Sequence, residues 1–301
     1  MSRLKIWIIV ASILVVVGAA VAAIGFATCD FKFTEQTVSR QIDIDEEFDK
    51  IVIDVNTTNI NFLLIENENT PSCVYIVESQ NPSVQHSVEV KDGVLSVTLN
   101  DDRRWYEHIG IGWGDWEISV CLSKTELATL DIEVDTGDVT VPSVFSFNNA
   151  KIESDTGDIK WSASVLEKLE IETDTGDIQL SDFSCRDIEI STDTGDVSAS
   201  DINAVNSVTV DTDTGDVTLK NTVAQGAMSV KTATGDVALD GCDGGSVSIK
   251  TSTGDVYGTL LSPKAFAASS KTGRVNVPRS KGDALCEITS STGNIKITVK
   301  E

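Results

Sequence analysis

Histidine is almost absent from this chain. Only His86 and His108 occur, and the six cysteines (Cys29, Cys73, Cys121, Cys185, Cys242 and Cys286) are scattered, without a CxxC pair. That scarcity leaves no ligand set for a Cys/His zinc site, which needs closely spaced pairs of such residues. Cys121 in ISVCL and Cys286 in ALCEI fall in strand-like apolar runs and read as buried free thiols. An exported compartment would permit disulfides, but the spacing does not pair them. Basic residues are scarce too, 23 against 47 acidic, for a net charge of −24. Arg3 and Lys5 are the basic residues of the first 29, so the remainder carries 21 basic and 47 acidic residues. Such a surface repels nucleic acid and anionic headgroups while attracting cations, so nucleic-acid binding is not expected.

Charge is missing altogether from Ile6 to Thr28, a run of 23 residues. At about 1.5 Å per residue a helix of that length crosses a hydrocarbon core of about 30 Å. Arg3 and Lys5 before it, and Asp30 after it, predict a single-pass anchor with a cytoplasmic N-terminus and residues 30–301 outside the membrane. Two rival readings are a cleavable signal peptide ending at Gly25-Phe26-Ala27 and lipidation of Cys29. A signal peptide's apolar stretch is shorter, about 7–15 residues, and Thr28 fits poorly before a lipidated cysteine. All three readings export the rest of the chain.

What the sequence has in abundance is one repeat. Thr-Gly, a polar residue and then Val or Ile recurs at Gly137, Gly157, Gly176, Gly195, Gly215, Gly235, Gly254, Gly273 and Gly293, every 19 or 20 residues. A fixed period of this size marks a stack of units that bury only one another. Within one unit, Leu169, Ile171, Thr173 and Thr175 share one phase and Glu170, Glu172 and Asp174 the other; beyond Gly176, Ile178 and Leu180 are again apolar. Alternation by two on both sides of a bend is a strand signal. The expected fold is therefore all-β: a parallel β-solenoid of about nine coils of 19–20 residues, preceded by the N-terminal transmembrane helix. Residues 1–29 form the tip and anchor, 30–119 an irregular β lead-in and cap, and 120–301 the regular repeats. Val55–Phe62 aligns with Val134–Val141 as a decayed coil, and Asp92-Gly93 marks a hairpin turn. Ile295–Glu301 is expected to close the rod as an open edge guarded by Lys296 and Lys300.

The repeat carries an aspartic-protease triplet, Asp-Thr-Gly, at Asp135, Asp155, Asp174, Asp193 and Asp213. Protease chemistry needs two carboxylates sharing one proton within about 3 Å, whereas these recur one coil apart, about 4.8 Å. The residue after each glycine gives a second column: Asp138, Asp158, Asp177, Asp196 and Asp216, continuing to Asp236 and Asp255 before Arg274 and Asn294. Together they predict an acidic ridge on the first five coils. Its carboxylates either cap turn amides or bind cations such as Ca²⁺, which takes about six to eight oxygens; turn capping is the favoured reading, and no other cofactor is expected. The Thr-x-Thr pairs share the phase of the core residues and so are expected to face inward and bond to one another, which disfavours an ice-binding array.

One segment breaks the pattern. Arg103, Arg104, Trp105, Tyr106, His108, Trp113 and Trp116 cluster among glycines. Aromatics on a loop can recognise a peptide, glycan or protein; the alternative, favoured here, is that they plug the N-terminal end of the solenoid.

The repeat unit, apolar-x-apolar-x-Thr-x-Thr-Gly-Asp-Val/Ile-x-apolar, resembles a bacterial family of putative adhesins, β-strand-repeat domains of unknown function. The likeness covers roughly residues 45–301 and is closest over 130–297; Thr272-Gly-Arg274 and Thr292-Gly-Asn294 depart from it. The resemblance implies an exported, often membrane-anchored β-helical protein without catalytic residues, in some members tied to envelope stress. The expected function is a non-enzymatic scaffold that binds a protein or envelope polymer, with no small-molecule substrate. A calcium-dependent surface module and a β-helix-type hydrolase are the alternatives.

Overall fold

The computed structural model describes residues 37–67, 70–80, 84–101, 116–279 and 282–300. The expected transmembrane segment and residues 103–113 of the aromatic cluster lie outside them. Among the described residues there is no helix, and none long and apolar enough to cross a membrane.

Chain order begins with β1 (Thr37–Ile44), β2 (Lys50–Thr57), β3 (Asn59–Leu64), β4 (Ser72–Ser79), β5 (Val84–Lys91), β6 (Val94–Asp101) and β7 (Glu117–Leu122). Regular turns follow, each a long strand and a short one: β8 and β9 (Glu126–Thr136, Val139–Val141), β10 and β11 (Ser146–Thr156, Ile159–Trp161), β12 and β13 (Ser164–Thr175, Ile178–Ser181), β14 and β15 (Ser184–Thr194, Val197–Ser200), β16 and β17 (Asn203–Thr214, Val217–Lys220). Next come β18 (Val223–Thr234), β19 (Val237–Thr253), β20 (Val256–Leu260), β21 (Ala265–Ser270), β22 (Val275–Asn276), β23 (Leu285–Thr292) and β24 (Ile295–Val299). Long strands stack in one parallel ladder and short strands in another, while β19 runs through both.

Register puts like residues on like. Ile132, Ile152, Ile171, Ile190, Val210, Val230, Ile249 and Ile288 form one column of the long-strand sheet, and Val139, Ile159, Ile178, Val197, Val217, Val237, Val256 and Ile295 face it from the short-strand sheet. All are fully buried or nearly so; burying each such side chain stabilises the fold by about 1.5–3 kcal/mol.

The ends are not stacked in chain order. At the start, β2 lies between β6 and β8, and β3 between β7 and β9. Val55 pairs with Val134 and Ile60 with Val139, so Val55–Phe62 is a coil of the stack. At the far end β23 inserts between β19 and β21, and β24 between β20 and β22. The open edge is thus β21 with the two-residue β22, and not Ile295–Glu301 as the chain order implied: β24 is paired on both sides. The Thr272-Gly273 unit is correspondingly abbreviated, leaving about eight regular turns rather than nine. Antiparallel strands close the other end, with β5 on β6, and β1 on β4, which itself lies on β7. Asp92 and Gly93 turn the β5–β6 hairpin with positive φ, as a two-residue turn of matching twist requires.

Candidate functional site

The Thr-Gly corner is the most regular feature of the surface. Gly176 has φ +155°, and a Cβ there would fall against the carbonyl of Gly157 one coil away. Stacked glycines let the backbones nest at this bend. The residue that follows then bonds along the stack. Asn59 Oδ1 accepts the amide of Asp138 at 2.9 Å, Asp138 that of Asp158 at 2.9 Å, Asp158 that of Asp177 at 3.0 Å, and Asp177 that of Asp196 at 2.9 Å. Asp196, Asp216 and Asp236 hold the amides of Asp216, Asp236 and Asp255, each at 2.7 Å. Asp255 then takes Asn294, at 2.6 Å, and Asn294 takes Arg274, at 3.1 Å. The side-chain ladder reports the same inverted order as the strands.

The first carboxylate column, Asp135, Asp155, Asp174, Asp193 and Asp213, is exposed beside this ladder. Asp135 Oδ2 accepts a bond from Asn56 Nδ2 at 2.7 Å. Further along the long-strand sheet, Glu133, Glu153 and Glu172 give way to Ser191, Asp211, Lys231 and Lys250 in register. Lys231 meets Asp211 at 2.7 Å, and Lys168 bridges Glu170 and Glu189 at 2.6 and 2.7 Å. Both lysines are held above the usual ammonium range by those carboxylates. The ridge is therefore acidic over the first coils and mixed beyond. Among the described residues no group of three or more His, Cys, Asp and Glu converges to hold a metal.

Two expectations about the threonines need correction. Thr173, Thr192, Thr212, Thr232 and Thr251 are buried, but Thr175, Thr194, Thr214, Thr234 and Thr253 are exposed. Alternation stops at the corner, where Asp174 and Thr175 both turn outward. Nor do the inner threonines bond to one another: Thr232 and Thr251 donate to the carbonyls of Gly215 and Gly235, at 3.3 and 3.2 Å. A second bend escaped the sequence reading. Asp182, Asp201 and Asn221 adopt φ of 46–59° and Gly241 follows at +65°, with Asn221 Nδ2 donating to Asp201 Oδ1 at 2.8 Å. An Asp/Asp/Asn/Gly series at the repeat spacing, all residues that tolerate this conformation, was the available signal.

Of the aromatic cluster, Trp116 is described and buried; its ring meets His86 edge-on, centroids 6.4 Å apart. His86 Nδ1 lies 3.0 Å from Glu78 Oε2, whose partner oxygen Oε1 meets Arg40 at 2.9 Å. The His86 amide also donates to Glu78, at 2.7 Å. Burial holds the imidazole below its usual pKa despite the upward pull of Glu78. This buried cluster ties β1, β4 and β5 together and belongs to the cap. An open cleft of about 600 Å³ lies toward the opposite, Ile44–Ser72 end of the β1–β4 pair, lined by Glu46, Glu47, Phe48, Ser72 and Lys124 among others, with no histidine or cysteine in its walls. Lys124 is engaged by the Phe48 carbonyl and sits 4.8 Å from that ring's centroid.

The sequence profile of the Toastrack DUF4097 family matches residues 48–203 and again 184–301. The chain belongs to this family. No protein of curated function matches it. Among solved structures, a "putative adhesin" of Bacteroides fragilis is similar, with TM-score 0.52 and 17% identity over 87% of this chain and 97% of its own. A "putative lipid binding protein" of Parabacteroides distasonis gives TM-score 0.54 and 14% identity over 88% of this chain and 99% of its own. At such identities the likeness is one of Toastrack fold.

Proposed function

We propose that this Toastrack protein is a non-enzymatic binding scaffold of the cell envelope. Residues 6–28 anchor it, the short N-terminus is cytoplasmic, and the solenoid stands outside, presenting its acidic ridge to a protein or envelope polymer. Adhesion or envelope-stress sensing is the setting in which such a ridge would serve. The observation that carries this reading is the corner itself. Each capping carboxylate is fixed by an amide of the next coil, so negative charge is held at a repeat of about 4.8 Å on a rigid support. Fixed charge at fixed spacing favours a periodic or multivalent cationic partner over a small molecule. The names of the two similar structures, an adhesin and a lipid binder, are in keeping with a binding role.

The test uses the exposed column that does not cap amides. The full chain in detergent, and its Asp174→Asn/Asp193→Asn/Asp213→Asn variant, would be co-sedimented with isolated cell-wall sacculi and with polylysine-coated beads as a periodic cationic probe. Binding that weakens with salt and drops in the variant, at unchanged melting temperature, supports the ridge as the contact surface. Equal binding by both proteins, or none to either material, counts against it.

A further inference from the structure

The antiparallel pairing of the cap sets Cys73 of β4 directly opposite Cys121 of β7. Both are half-buried free thiols. Opposite residues of antiparallel strands hold their Cα atoms about 4.5–5.5 Å apart, inside the roughly 4.4–6.8 Å that disulfides span. The faces agree as well: the next pair along, Val74 and Val120, is buried in the core, so both sulfurs stand on the outer face of the short-strand sheet. Partial burial pushes the Cys121 thiol up to about 11, and the adjacent Cys73 adds to the shift. The remaining described cysteines have no such neighbour. Cys185 lies opposite Ala204, Cys242 opposite Leu260, and Cys286 between Val247 and Phe266. Cys185 and Cys242 donate to the carbonyls of Asp187 and Leu219, at 3.0 and 3.1 Å.

We propose that Cys73 and Cys121 are a redox site, closed to a disulfide by exchange with a small-molecule or protein disulfide. A thiolate of the pair attacks the donor's S–S bond, forming a mixed disulfide and releasing one donor thiol. The second cysteine, deprotonated, then attacks the first cysteine's sulfur in that mixed disulfide and expels the remaining donor thiolate, which takes up a proton. The two protein thiols lose two electrons and two protons, and the donor disulfide gains them as two thiols. The second step is intramolecular, so the raised Cys121 pKa slows it less than it would an attack on a free donor. The bond would staple β4 to β7 across the place where parallel stacking gives way to antiparallel cap strands. It would also bracket the β5–β6 hairpin and residues 102–115 within one covalent loop.

The full chain, purified reduced, would be treated with oxidised glutathione under native conditions, quenched with acid, then denatured, alkylated and digested. The expected result is a mass lower by two hydrogens, loss of label at Cys73 and Cys121 alone, and a linked peptide pair joining them, all reversed by dithiothreitol. Oxidised wild type should melt above the reduced form, whereas Cys121→Ser should show no such gain and should instead retain glutathione on Cys73. Full labelling of both cysteines after oxidation of the folded chain would overturn the proposal. So would linkage of either one to Cys29, or a linkage that forms only in urea.

Discussion

Asp177 Oδ1 accepts the backbone amide of Asp196, 2.9 Å away on the next coil. The same residue type thus carries two separable properties, an acceptor that completes the corner and a charge that repels its neighbours. Like charges about 4.8 Å apart repel by roughly 0.9 kcal/mol in water, while losing the acceptor costs about 1 kcal/mol. Asp177→Ala should therefore melt below wild type. Asp177→Asn should melt at or above it in low salt, because Asn keeps the acceptor, as Asn59 and Asn294 do at the ends of this ladder. Thermal melts at two ionic strengths decide the matter; equal losses for Ala and Asn would show that the amide bond is not what Asp177 contributes.

Gly176 permits the nesting that the ladder needs. With φ at +155° and the Gly157 carbonyl in the way of any Cβ, Gly176→Ala should cost about 3 kcal/mol or more, through strain and separation of the coils. The expected signature is a lowered urea midpoint together with faster amide exchange at the Gly157 and Gly195 corners. A variant within about 0.5 kcal/mol of wild type would mean that the corner yields easily.

The long regular part of the fold was legible because it depends on local alternation repeated at a fixed interval: the columns Ile152–Ile171–Ile190 and Ile159–Ile178–Val197 can be read by eye. Three features were not. The inversion of β21/β22 with β23/β24 leaves the spacing of Gly254, Gly273 and Gly293 unchanged, so period alone cannot distinguish stacking beyond from insertion between. Thr175 turned outward because strand parity fails at the bend, at the residue just before Gly176. The facing of Cys73 and Cys121 comes from antiparallel pairing between segments separated by a whole hairpin, which no repeat encodes. For the candidate site, the two carboxylate columns were visible in the sequence; which of them is tied to amides needed the geometry.

The inner threonines are not equivalent. Thr192 is buried with no partner for its hydroxyl, whereas the Thr251 hydroxyl reaches the Gly235 carbonyl at 3.2 Å. Replacing an unpaired buried hydroxyl by a methyl group of the same shape removes a desolvation penalty of about 1–3 kcal/mol. Thr192→Val should raise the melting temperature and Thr251→Val should lower or leave it. The reverse order in calorimetry would mean that a bound water serves Thr192.

His86 gives the cap a pH dependence whose sign is fixed by burial. Its folded pKa lies below the ordinary 6.5 because the ring is desolvated, with Glu78 pulling the other way. Above 6.5 both folded and unfolded chains carry a neutral imidazole, and this stabilising difference is fully present. As pH falls through 6.5 the unfolded chain takes up the proton first, so stability is lost until the folded pKa is reached, by at most about 1.4 kcal/mol per pH unit. Urea midpoints from about pH 7.5 to about pH 5.5 should therefore decline more steeply for wild type than for His86→Gln, in which that proton is missing. Every other ionisable group is common to the two proteins, so the difference between the two curves isolates the cap. Parallel curves would show that His86 takes its proton in the folded cap as readily as in the unfolded chain, with Glu78 offsetting the whole cost of burial.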